Sequence, residues 1–235
     1  MAKLNRDLAS HADIINNKNR RIPVCICIDV SSKVNKNPRF LKTIELCVNE
    51  LINSICAQPS MKAAVDLFIM AYAKEGKVVR EFSNITEGSG SFKLPLLEGE
   101  PEMFSSLDLC LRKLLQRLNE YKNASLSRHY PIVVVISSGY TSESPANYEK
   151  RQENWRALEA SRILSLFPIL NGDGDADMLR KMTNDNRIAI AESSSLSDLL
   201  AEIGNSVEKL SSSTSEAYRN LKANMNSWTD AGDDK

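Results

Sequence analysis

Three short stretches gather side chains able to do chemistry. Asp29-Val30-Ser31-Ser32-Lys33 closes one apolar run, Glu98 to Met103 precedes an amphipathic helix, and Ser137-Ser138-Gly139-Tyr140 follows a second apolar run. Open α/β sheets bind ligands beyond the carboxyl ends of their strands, near the point where the winding reverses, so these loops are the candidate site. The remaining reactive residues read as structural. Asp173-Gly174-Asp175-Ala176-Asp177 opens like a calcium loop, but such a loop needs glycine at its sixth position and glutamate at its twelfth, where this chain has Met178 and Asn184. An aspartate capping the next helix is the better reading. His11 and His129, the only histidines, stand near no cysteine nucleophile motif and read as surface or loop residues. Ser138 lacks the surrounding G-x-S-x-G of a nucleophile elbow. Neither a glycine-rich dinucleotide turn nor a phosphate-cradling G-x-x-x-x-G-K is present. Trp155, on a polar helix, either faces a partner or packs beside Ala157-Leu158.

Composition narrows the class. Apolar residues make up 42% and charged residues 26%, ordinary values for a globular chain. Thirty basic side chains balance thirty acidic ones, so no global field draws in nucleic acid or an anionic membrane. No apolar signal segment opens the sequence, and its longest apolar runs are too short to span a bilayer. Cys25, Cys27, Cys47, Cys56 and Cys110 sit inside apolar runs with no C-x-x-C pair, which fits reduced, buried thiols and a cytoplasmic location.

The elements that must position the three loops follow from periodicity. Ile22 to Ile28 reads as a strand, and Phe40, Leu41, Ile44, Cys47, Val48, Leu51, Ile52 and Ile55 form the stripe of a helix. Ala63 to Ala73 and Lys77 to Phe82 read as strands joined by a hairpin at Glu75-Gly76. A loop at 83 to 102 leads, through Pro101, into a helix carrying Phe104, Leu107, Cys110, Leu111, Leu114, Leu115 and Leu118. Pro131 to Ile136 is nearly all β-branched, as in a strand covered on both faces. A polar helix to about Arg162, a strand over Ile163 to Leu170, a short helix near Asp177 to Met182, a brief strand over Arg187 to Ala191 and a helix over Leu196 to Leu210 complete the pattern. Such alternation predicts an α/β fold, a doubly wound, mostly parallel six-stranded sheet flanked by helices. One domain at 21–212 is expected, with a polar arm at 1–20 and a polar tail at 213–235.

The run Arg-Ile-Pro-Val-Cys-Ile-Cys-Ile-Asp-Val-Ser-Ser from Arg21 to Ser32 resembles the first strand and loop of stand-alone bacterial von Willebrand factor A proteins of the tellurite-resistance type. That resemblance continues through Pro131-Ile132-Val133-Val134-Val135-Ile136-Ser137-Ser138-Gly139 and Pro168-Ile169-Leu170-Asn171-Gly172-Asp173-Gly174, with closure at Leu196 to Leu200. It spans roughly residues 20 to 212 through order and spacing. The family's first loop reads D-x-S-x-S, its second carries a threonine and its third reads Thr-Asp-Gly, and together they hold a divalent cation at a metal-ion-dependent adhesion site.

Against that pattern the chain departs at three of five ligands. Asp29 and Ser31 remain as vestigial ligands; Lys33 replaces the second serine, Pro101 or Glu102 stands for the threonine, and Ser138 stands for the aspartate. Magnesium wants six oxygens in octahedral geometry. An ammonium about 4 Å from a divalent ion would cost on the order of 8 kcal/mol at an effective dielectric near 20. The expectation is a degenerate site with no metal and no cofactor, in which Lys33 either lies against Asp29 or points to solvent. The function expected is a non-catalytic protein–protein interaction scaffold whose rim comprises Asp29, Ser31, Ser32, Lys33, Glu102, Ser138 and Tyr140. The resemblance implies a tellurite-resistance or stress-response system with kinase, phosphatase or metal-binding protein partners, and no nucleic acid or membrane. The alternative is a weak magnesium ion held by Asp29, Ser31, Glu102 and waters and completed by a partner's carboxylate. A third reading, an enzyme on a Rossmann-like sheet, lacks an acid–base pair or nucleophile.

Overall fold

The computed structural model describes residues 20–34, 36–85, 92–171, 174–191 and 195–212. His11, Asp173, most of the arm and all of the tail lie outside these residues. The described elements are β1 (Ile22–Asp29), α1 (Pro38–Ala57), α2 (Pro59–Ala64), β2 (Val65–Tyr72), β3 (Gly76–Asn84), α3 (Met103–Asn123), β4 (Ile132–Ser137), α4 (Pro145–Ala160), β5 (Ser165–Asn171), α5 (Ala176–Arg180), β6 (Ala189–Ala191) and α6 (Leu196–Ser212).

The strands form one six-stranded sheet in the order β3-β2-β1-β4-β5-β6. Only the β2–β3 pairing is antiparallel, as the Glu75-Gly76 hairpin requires. The chain winds outward from β1 to β3, then returns across β1 to place β4 on its other side. That reversal sets the switch point at the carboxyl ends of β1 and β4, where Asp29 and Ser137-Ser138 emerge.

Strand alternation divides the core into two layers. Ile22, Val24, Ile26 and Ile28 of β1 face one way, with Ile132, Val134 and Ile136 of β4, toward α1, α2 and α6. Cys25, Cys27, Val133 and Val135 face the other way, toward α3, α4 and α5. Burial on both faces explains the continuous apolar runs of these strands. Cys25, Cys27 and Cys110 are wholly buried, and burial raises the thiol pKa of Cys25 and Cys27, so they serve as core residues.

Helix α1 starts where the Asn37 side chain accepts the Phe40 N–H at 3.2 Å and Pro38 supplies a pre-set first turn. It buries Phe40, Ile44, Cys47, Val48, Leu51, Ile52 and Ile55. Pro59 holds Gln58 extended, which ends α1 and opens α2. The sequence reading missed α2 and began the second strand at Ala63; Ala63 and Ala64 in fact close this six-residue helix. Strand β5 likewise starts at Ser165 rather than Ile163, after a left-handed turn at Arg162 (φ 55°). No helix among the described residues is long and apolar enough to cross a membrane.

Trp155 takes the packed one of its two readings, and His129 is a loop residue but not a surface one. The Trp155 ring is 1% exposed and belongs to the layer containing Leu164, Leu166, Leu179 and Met182, so it faces the core. His129 lies in a loop but is buried; its backbone N–H donates to Arg21 O at 2.7 Å. Burial, aided by the charge of Arg20, lowers its pKa to about 4.

Candidate functional site

The three loops meet at the switch point. Ser32 N–H donates to Gly99 O at 3.0 Å, and Ser142 N–H donates to Pro101 O at 2.7 Å. Asp29 ends β1 with a side chain directed into this junction and is 1% exposed. It accepts the Ser31 N–H at 2.9 Å on Oδ1; on Oδ2 it accepts the Ser138 N–H at 3.2 Å and the Ser138 hydroxyl at 2.6 Å. Among the described residues no cationic side chain pairs with Asp29. Ser31 is fully buried, and its hydroxyl has no hydrogen-bond partner among the described residues.

Above this floor the loops are exposed and touch one another. The Ser32 hydroxyl donates to Glu100 at 2.7 Å. The Lys33 ammonium pairs with Glu100 at 3.4 Å and lies 5.7 Å from the centre of the Tyr140 ring. Of the two readings of Lys33, the structure takes the solvent-facing one: its partners are a surface carboxylate and an aromatic face, not Asp29, and they leave its charge in water. The Ser32 hydrogen bond, with the charges of Lys33 and Lys36, holds the Glu100 carboxyl below the usual range. Glu102 is the residue at the amino end of α3; its backbone N–H donates to Ala73 O at 2.8 Å, and its side chain makes no capping bond.

That capping role falls to Glu143, which the sequence reading did not single out. Its carboxylate accepts the N–H groups of Phe104 at 2.8 Å and Ser105 at 3.1 Å, and the hydroxyls of Ser105 and Thr141. Arg151 completes the set at 3.2 Å. Negative charge is favoured at a helix N-terminus, so this bond clamps the third loop onto α3. The only available signal was the acid within Thr-Ser-Glu after Tyr140, which says nothing of a helix 39 positions away.

Tyr72, at the end of β2, donates its hydroxyl to Ser137 at 2.8 Å. Burial and the nearby Asp29 charge raise its pKa well above the ordinary tyrosine value. The third loop is further held by Asp175, whose N–H donates to Ser138 O at 2.9 Å and whose carboxylate caps α5 at Met178 N–H, as expected of it. Gly139 adopts φ +71°, and a Cβ there would strike the Asp175 carbonyl; a Cβ on Gly174 would strike the Ser138 carbonyl. Two main chains thus run in direct contact behind Ser138.

Asp29, Ser31, Ser32, Lys33, Ser138 and Tyr140 are therefore brought together, with Glu102 at the margin. Among the described residues no group of three or more His, Cys, Asp or Glu side chains is arranged to hold a metal ion.

No family model matches the sequence, and no curated protein sequence matches it. Solved structures match the fold. Proximal thread matrix protein 1 from the mussel byssus superposes with a TM-score of 0.58 at 15% identity, over 82% of this chain and 49% of that one. One structure of that mussel protein has zinc in its MIDAS motif. A von Willebrand factor type A protein from Catenulispora acidiphila gives 0.58 at 14% identity, over 80% of this chain and 43% of that one. The vWF domain of the type V pili tip protein Mfa5 from Porphyromonas gingivalis gives 0.58 at 9% identity, over 84% of this chain and 98% of that one. The chain spans about half the length of the first two. Its fold is of the von Willebrand factor A type.

Proposed function

We propose, from the von Willebrand factor A fold as premise, that the chain is a non-catalytic protein-interaction module whose adhesion site works without a metal ion. One observation carries this reading. Ser138 occupies the position where the resemblance expects a second aspartate, and it donates both its hydroxyl and its N–H to Asp29. A second carboxylate there would need a cation to offset repulsion; a hydroxyl donor stabilises Asp29 unaided. Lys33, in place of a hydroxyl ligand, brings positive charge to the mouth. The partner-facing surface is the rim of Ser32, Lys33, Glu100 and Tyr140, with Glu102 beside it. Fold neighbours that are a byssus matrix protein and a pilus tip protein support an interaction role. The sequence resemblance to tellurite-resistance proteins is what supports kinase, phosphatase or metal-binding partners of a tellurite-resistance or stress-response system.

Calorimetric titration with magnesium and manganese tests the reading. No binding in the micromolar range is expected; micromolar dissociation of either ion overturns it. One observation favours the metal-dependent alternative: the buried, unpartnered Ser31 hydroxyl beside Asp29 is a free oxygen ligand. Partner capture that requires magnesium and is lost in chelator would select that alternative.

A further inference from the structure

We propose that the buried cluster of Asp29, Ser31 and Ser138 at the strand ends is a primary-ammonium site, filled by a lysine side chain or a free amino terminus of a protein partner. This rests on the metal-free reading above and names the chemistry that the rim accepts.

The floor holds negative charge that the fold leaves unbalanced. Asp29 is 1% exposed and is met by neutral donors alone among the described residues. A carboxylate has about four lone-pair positions, and three donors fill three of them, so one stays open. The Ser138 hydroxyl commits its proton to Asp29, leaving its oxygen as an acceptor. The Ser31 hydroxyl, wholly buried and unpartnered, lies three bonds from the N–H that donates to Asp29. A buried hydroxyl is costly to leave unpaired, so this oxygen independently calls for a ligand.

What the floor offers is therefore acceptors: one carboxylate position and two hydroxyl oxygens. An ammonium has three donors, one positive charge and no acceptor, which matches that set. A guanidinium matches poorly, because its planar fork grips a carboxylate through both oxygens and both are already engaged. An incoming carboxylate would add like charge to Asp29.

The residues above the floor are held by weak contacts. Ser32, Lys33, Glu100 and Tyr140 follow the floor residues by one or two positions or touch those that do, and they contact one another. The Lys33 and Glu100 side chains are 44% and 55% exposed, and exposed ion pairs contribute little. Their contact also shows that a carboxylate and an aromatic face at the mouth already receive an ammonium in cis.

The test uses the full chain labelled with nitrogen-15, reading the Ser31 and Ser138 amide shifts. Four titrants are compared: an end-blocked peptide with one lysine, the same peptide with acetyl-lysine, a lysine-free peptide with a free amino terminus, and magnesium chloride. Saturable shifts with the lysyl or the free-amine peptide, absent with acetyl-lysine, are expected; whichever peptide acts identifies the source. Asp29→Asn and Ser31→Ala should each weaken binding about tenfold, the loss of one contact to a charged group, with spectra that stay dispersed. Lys33→Met should tighten it severalfold by removing the competing ammonium. Silence with both amines, or equal shifts with acetyl-lysine, overturns the inference. A saturable magnesium response at these amides instead sinks the metal-free reading on which it rests.

Discussion

Two aspartates lie buried at opposite ends of neighbouring parallel strands, and the fold treats them differently. Asp66, the second residue of β2, is fully buried and paired with two guanidiniums, Arg117 at 2.7 Å and Arg21 at 3.4 Å. Tyr121 and Asn84 also donate to it. This knot ties the start of β1, the start of β2, the end of β3 and the end of α3. Asp29, at the far end of β1, has neutral donors only. Charge compensated inside the fold makes structure; charge left uncompensated is available to a ligand. On the proposed reading, the two carboxylates separate a structural edge of the sheet from a recognition edge.

Breaking the knot should have the largest effect. Asp66→Asn leaves two buried arginines without their shared counter-charge and should cost about 3–5 kcal/mol in urea unfolding. A cost below 1 kcal/mol would erase the distinction between the edges. Next comes the backbone contact behind the site. Gly139→Ala forces a left-handed residue against the Asp175 carbonyl and should cost about 2–3 kcal/mol, with perturbed Ser138 amide resonances.

Ser138→Asp sharpens the contrast more finely. A second carboxylate beside Asp29, with no cation to offset it, should lower stability by about 1–3 kcal/mol. Added magnesium should restore part of that loss, and more of it in combination with Lys33→Ser, as read by thermal unfolding with and without the ion.

Acid should act on the structural edge through His129. Its folded-state pKa lies near 4 against an ordinary 6.5, so the unfolded chain binds the proton first. Stability from this group is whole above pH 6.5 and declines as pH falls toward 4. His129→Gln should flatten that part of the stability profile. Least of all, Lys33→Ala should change stability by under about 1 kcal/mol, since its pair with Glu100 is exposed.

The sheet was readable because its central strands are β-branched and covered on both faces, and α1, α3 and α6 carry wide apolar stripes. Helix α2 escaped because six residues give no period, although Pro59 after Gln58 marked the break. Trp155 was ambiguous because α4 buries only it and Gln152, too narrow a stripe to stand out among charged neighbours. At the site, Asp29, Ser31 and Ser138 were found through local spacing and resemblance. Glu143 was not, nor was the Arg117–Asp66 pair, 51 positions apart, because only the tertiary path brings such partners together. The side chain of Lys33 had two open readings for a related reason: its real partner, Glu100, comes from a loop that local spacing does not reach.

The paired glycines have a mechanical consequence. Gly139 lies bare against the Asp175 backbone and Gly174 against the Ser138 backbone, so neither position accepts a side chain without displacing the other loop. A shift of the Asp175 backbone would therefore bear directly on the backbone of the serine whose N–H and hydroxyl hold Asp29.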